Sequence, residues 1–183
     1  MPGRTRNAYL LLTAVYLLLS CAKPVETDDP DDPAYPTSGT VTVDNKAVAN
    51  YDGSGFLFST ARVIFYPNSS QVYPDVSVKI SSSTGMPYFW SIDHNSAFKL
   101  LNSALDSASA YAFFDSLAAI SDTAGFVSPI FDLSAYQTIA VRAHQNKYAK
   151  ILITKITVDS SSIAEATFKW VYQPDGSLVF PAP

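Results

Sequence analysis

The run Tyr148-Ala149-Lys150-Ile151-Leu152-Ile153-Thr154-Lys155-Ile156-Thr157-Val158, then Asp159-Ser160-Ser161-Ser162, then Ala164-Glu165-Ala166-Thr167-Phe168-Lys169-Trp170-Val171-Tyr172-Gln173, decides the fold class. Both long runs are rich in β-branched and aromatic residues, and the polar stretch between them reads as a hairpin loop. In the second run Ala166, Phe168, Trp170 and Tyr172 point one way while Thr167, Lys169 and Val171 point the other. In the first, Lys150 and Lys155 are expected at exposed positions or near the strand ends, because an ammonium is costly to bury.

Reading outward, Thr138-Ile139-Ala140-Val141-Arg142-Ala143 is a further strand, and His144-Gln145-Asn146-Lys147 is the turn that follows it. Pro174-Asp175-Gly176 is a turn with a mechanism, since proline pre-sets φ and glycine accepts a positive φ. Leu178-Val179-Phe180 is expected to close the chain as a short strand. Towards the N-terminus, Thr40–Val43, Gly55–Ser59, Ala61–Tyr66 and the alternating Val76, Val78 and Ile80 read as strands. Asp52-Gly53-Ser54-Gly55 lacks the lysine and helix of a phosphate loop and reads as a turn between strands.

The middle differs. Phe98, Leu101 and Leu105, then Phe113, Leu117 and Ile120, recur at helical spacing, with no glycine or proline between Asn95 and Asp122. The spacing predicts one or two short helices across 96–120, broken near Asp106-Ser107. The expected class is therefore mainly β, an antiparallel, sandwich-like domain with a short helical insertion near 96–120.

The N-terminus has a different character. Arg4 and Arg6 precede the apolar run Tyr9–Leu19, and Leu18-Leu19-Ser20-Cys21 looks like a bacterial lipobox. A basic start, an apolar stretch of about 7–15 residues and a small-residue cleavage site make a signal peptide. The run is too short for the roughly 20 residues of a membrane-spanning helix. Residues 1–20 thus read as a lipoprotein signal peptide and Cys21 as the lipidated residue. Residues 21–38 read as an acidic, proline-rich tether, and 39–183 as a single β-rich domain. Acids soon after the cysteine resemble the export signal of Bacteroidota surface lipoproteins. The implied place is the outer membrane, lipid-anchored, with the domain on its periplasmic or its surface side and the membrane itself as a partner through Cys21.

Charge and composition exclude several classes. The chain has 12 Lys and Arg against 16 Asp and Glu, a net charge of −4. Loss of Arg4 and Arg6 with the signal lowers this to −6. With no basic stripe to neutralise phosphates, nucleic acid is not an expected partner. Cys21 is the single cysteine, so no disulfide can form within the chain and no thiol remains for catalysis once it is lipidated. No serine lies in a Gly-x-Ser-x-Gly elbow, two histidines do not make a zinc site, and the acids show no pairing pattern of their own. The reading is non-enzymatic.

Val141-Arg142, Lys147-Tyr148-Ala149-Lys150-Ile151-Leu152-Ile153 and Thr167-Phe168-Lys169-Trp170-Val171-Tyr172-Gln173-Pro174-Asp175-Gly176-Ser177 resemble the C-terminal strands of HmuY-like lipoproteins of Bacteroidota. Gly55-Phe56-Leu57-Phe58-Ser59-Thr60 resembles the strand that opens such domains. The resemblance implies an all-β surface lipoprotein, and in the family's named member haem is bound through two axial side chains. Residues of ligating type here are His94, His144 and Met86, with Asp93 placed to orient the His94 ring. The resemblance maps no particular pair onto these three. The functional expectation is an envelope binding lipoprotein for haem or another small ligand. The alternative is a structural or accessory subunit of an outer-membrane protein complex with no small-molecule ligand.

Overall fold

β-branched and aromatic residues at every second position give the strands of the C-terminal third one face for each of two apolar layers. The computed structural model describes residues 35–181. Residues 1–34, with the expected signal peptide, Cys21 and most of the expected tether, lie outside the described residues.

The strands are β1 (Ser38–Asp44), β2 (Gly53–Leu57), β3 (Arg62–Tyr66), β4 (Val76–Ile80), β5 (Pro87–Trp90), β6 (Ala97–Ser103), β7 (Gln137–Arg142), β8 (Tyr148–Val158) and β9 (Ala164–Gln173). One helix, α1 (Ser107–Ser116), lies between β6 and β7. A five-stranded sheet has the order β1-β9-β8-β7-β6 and a four-stranded sheet the order β3-β2-β4-β5. All pairings are antiparallel. The domain is mainly β, as expected.

Phe56, Phe58, Phe89, Phe98, Phe168 and Trp170 form the centre of the core between the sheets. Their rings meet edge-on or tilted, as in Phe56–Phe58 with centroids 5.2 Å apart and Phe89–Phe168 at 5.9 Å. Each buried aromatic contributes roughly 1.5–3 kcal/mol by leaving water, and ring pairs add about 0.5–1.5 kcal/mol. The outer face of the five-stranded sheet is also covered: Ala110 and Phe114 of α1 pack with Ala140, Leu152, Val171 and Phe180. Burial on both faces explains why β7 and β8 read as nearly continuous apolar runs.

Four expectations are corrected. Residues 97–103 form strand β6 rather than a helix: Phe98 pairs with Val141 on one side and bridges to Val127 on the other. Ladder bonds on both sides outweigh the helical spacing of Phe98 and Leu101, and Leu105 is 99% exposed. The helix begins only after Asp106, whose carboxylate accepts from the Ser109 amide at 2.8 Å. Gly53-Ser54-Gly55 belongs to β2 rather than to a turn. Residues 178–180 form no strand, only a bridge from Val179 to Ala119.

Lys150 is the fourth. It is 2% exposed, and its ammonium donates to the carbonyls of Phe114 at 2.8 Å and Leu117 at 2.7 Å. Those carbonyls end α1 and have no partner within the helix, so a buried cation there satisfies them and the negative end of the helix dipole together.

Candidate functional site

At one end of the sandwich three connections meet. Asp75 stands just before β4, Asp93 lies in the β5–β6 connection, and His144 opens the β7–β8 turn. Between the carboxylates sits the His144 imidazole, with Nδ1 2.6 Å from Asp75 Oδ1 and Nε2 2.6 Å from Asp93 Oδ2. An ionised carboxylate only accepts, so both ring nitrogens donate and the ring is an imidazolium. The bond to Asp75 is the largest influence; although burial opposes it, the two carboxylates raise the His144 pKa to about 9. Burial pushes the Asp93 carboxyl up, but hydrogen bonds from His144, Asn95 and Ser91 outweigh it and hold the pKa at about 2.

Asp75 is 1% exposed and fully partnered. It accepts from the Phe58 amide at 2.9 Å, the Ser96 hydroxyl at 3.0 Å and the His144 amide at 2.9 Å. A charge buried among such donors is a rigid fixture, and it joins the two sheets.

Beside this fixture opens a cleft of about 630 Å³. Asp93 and His144 form part of its wall, with Gln71, Tyr73, Asn95 and Asn146 around it. Gln71, Gln145 and Asn146, which line the cleft, and neighbouring His94 all have φ between 52° and 59°. Left-handed backbone at non-glycine residues costs energy and tends to gather at ligand sites.

No family model and no curated protein matches this chain. The site is therefore read from its own geometry.

The three ligating candidates are not gathered into a pair. His144 has both nitrogens committed to carboxylates. His94 is exposed at the same end of the domain and packs edge-on against Trp90 at 6.2 Å. Asp93 binds the His144 ring rather than orienting that of His94. Met86 precedes Pro87, which pairs with Ile80, whereas Trp90 pairs with Ser77, so Met86 and His94 lie at opposite ends of the β4–β5 hairpin. These side chains as placed do not fit two-sided axial ligation of a haem iron. Among the described residues no group of three or more His, Cys, Asp or Glu is arranged to hold a metal ion. No helix of the described residues is long and apolar enough to cross a membrane.

Sequence reasoning named His144 and Asp93 separately and missed their contact. Asp75 gave one usable signal: an acid between Pro74 and the apolar Val76-Ser77-Val78 strand is placed where a chain turns into the core.

Proposed function

We propose that the chain is a lipid-anchored outer-membrane lipoprotein whose sandwich domain is a non-catalytic binding module, akin to HmuY-like lipoproteins. The observation that carries the reading is the open cleft set against the Asp75–His144–Asp93 cluster. A concave site with convergent polar groups on a rigid scaffold is what a small-molecule site needs. The imidazolium has no free nitrogen to take a proton, which favours binding over acid–base catalysis. Exposed amides at Gln71, Asn95, Gln145 and Asn146 both donate and accept, and the Tyr73 ring offers an apolar surface. That chemistry suits a small polar ligand better than haem.

The test is a titration of the purified mature chain, carrying Cys21→Ser to keep it soluble, followed by ring and amide NMR shifts. Small polar metabolites are expected to move the Tyr73, Asn95 and Asn146 signals, and Asn146→Ala should weaken that response. Haem added in parallel is expected to give no Soret shift dependent on His94 or His144. A His-dependent Soret shift would establish haem as the ligand instead, and silence from every probe would leave the accessory-subunit alternative.

A further inference from the structure

The two sides of the sandwich are finished differently. On one side the segment 127–130 bridges to both edge strands, Val127 to Phe98 of β6 and Ile130 to Phe89 of β5. On the other side β3 pairs with β2 alone among the described residues. Opposed residues of an antiparallel pair share a face, and Val63 opposes the core residue Phe56. Val63 and Phe65 are thus side chains of the core-facing surface, yet they are 41% and 44% exposed. Strand β3 overhangs its sandwich.

Its backbone polarity is readable as well. The Tyr66 carbonyl accepts from the Asp52 amide at 2.7 Å and so faces β2. By alternation the N–H and C=O groups of Val63 and Phe65 turn outward. One lone pair of the Phe65 carbonyl takes the Asn68 side chain at 3.0 Å, which leaves the other.

We infer that β3 is the interface of a two-fold symmetric dimer, pairing antiparallel with β3 of a second copy about Ile64. Under that symmetry Val63 lies opposite the second copy's Phe65, and each donates its amide to the other's carbonyl. The operation repeats the exchange, giving four backbone bonds, and each protruding apolar side chain gains an apolar partner. Arg62 comes opposite the second copy's Tyr66, so the one cation of the strand faces no like charge at either end. A groove of about 380 Å³ along the edge, lined by Tyr51, Ile64, Phe65 and Val72 among others, takes the added strand's side chains. The two four-stranded sheets become one continuous sheet, and both exposed edges disappear. Self-complementarity in side chains and backbone donors singles out a second copy as the occupant. The inference does not depend on the ligand cleft or on lipidation.

The experiment uses the full mature chain with Cys21→Ser in sedimentation velocity over the micromolar range. A concentration-dependent dimer is expected. Phe65→Lys, at an already exposed position, should leave the circular dichroism spectrum unchanged and weaken dimerisation by roughly tenfold or more, since it opposes an ammonium to an apolar side chain. Ile64 falls at the non-hydrogen-bonded centre, where Cα atoms are about 4.5 Å apart. Ile64→Cys should therefore form an intermolecular disulfide on mild oxidation, while Ser160→Cys in the β8–β9 turn should not. A monomer at every concentration overturns the inference, including the cases in which a bilayer or another protein's strand covers β3. So does a dimer indifferent to Phe65→Lys, or cross-linking at Ser160→Cys as fast as at Ile64→Cys.

Discussion

The Nδ1 atom of His144 stands 2.6 Å from Oδ1 of Asp75, a contact that joins the two sheets across 69 positions of chain. The bond has a direct consequence for pH. His144 has a folded pKa of about 9 against an ordinary 6.5, so its stabilisation is complete below pH 6.5 and disappears as pH rises through 9. Asp93, held at about 2 against 3.8, contributes fully above pH 3.8 and is lost as pH falls through 2. Stability should be greatest between 3.8 and 6.5. Urea unfolding should show a loss of roughly 2–3 kcal/mol between pH 6.5 and 9.5, a slope that His144→Gln removes.

The two carboxylates should be unequal. Because the Asp75 bond is the largest influence on the ring, Asp75→Asn should lower the His144 pKa further than Asp93→Asn does. Titration of the His144 ring signals by NMR checks the order. His144→Ala, which leaves a 1% exposed carboxylate without its cation, should cost about 3–5 kcal/mol in urea.

Lys150→Met should remove both bonds to the α1 carbonyls while keeping most of the volume. The expected cost is about 1–3 kcal/mol, from two carbonyls left without a donor. Amide hydrogen exchange should quicken at the C-terminal turn of α1, and Lys150→Arg should fare little better because the fork does not fit a 2%-exposed slot.

Gly55 has no room for a side chain. A Cβ there would lie 2.5 Å from the Pro74 ring and 2.6 Å from Ser77 Oγ. Gly55→Ala should lower stability by about 1–3 kcal/mol through overpacking, visible as a drop in Tm. It should also loosen the Pro74-Asp75 segment, so the His144 pKa should move towards its ordinary value in the same variant.

Cys21→Ser in the full precursor should abolish incorporation of a fatty-acid analogue in cells. Continued labelling in that variant would remove the lipobox reading.

The strands were legible wherever local pattern and tertiary environment agreed. Phe168, Trp170 and Tyr172 alternate in the sequence and all face the core. Residues 97–103 were not legible as a strand, because their apolar spacing fits a helix and the deciding partners, Val141 and Val127, are remote in sequence. Lys150 misled for a related reason: a lysine in a strand reads as exposed until a helix end arrives to receive it.

What the sequence determined by itself is the class of fold, through alternation over β8 and β9. That alternation is a local pattern, and local patterns are carried by neighbours in the chain. What only the tertiary structure decided is the cluster of Asp75, Asp93 and His144, together with the exposed overhang of Val63 and Phe65. These depend on which connections meet at one end and which sheet outreaches the other. Such proximity comes from packing two sheets around one core, and short-range periodicity carries no record of it.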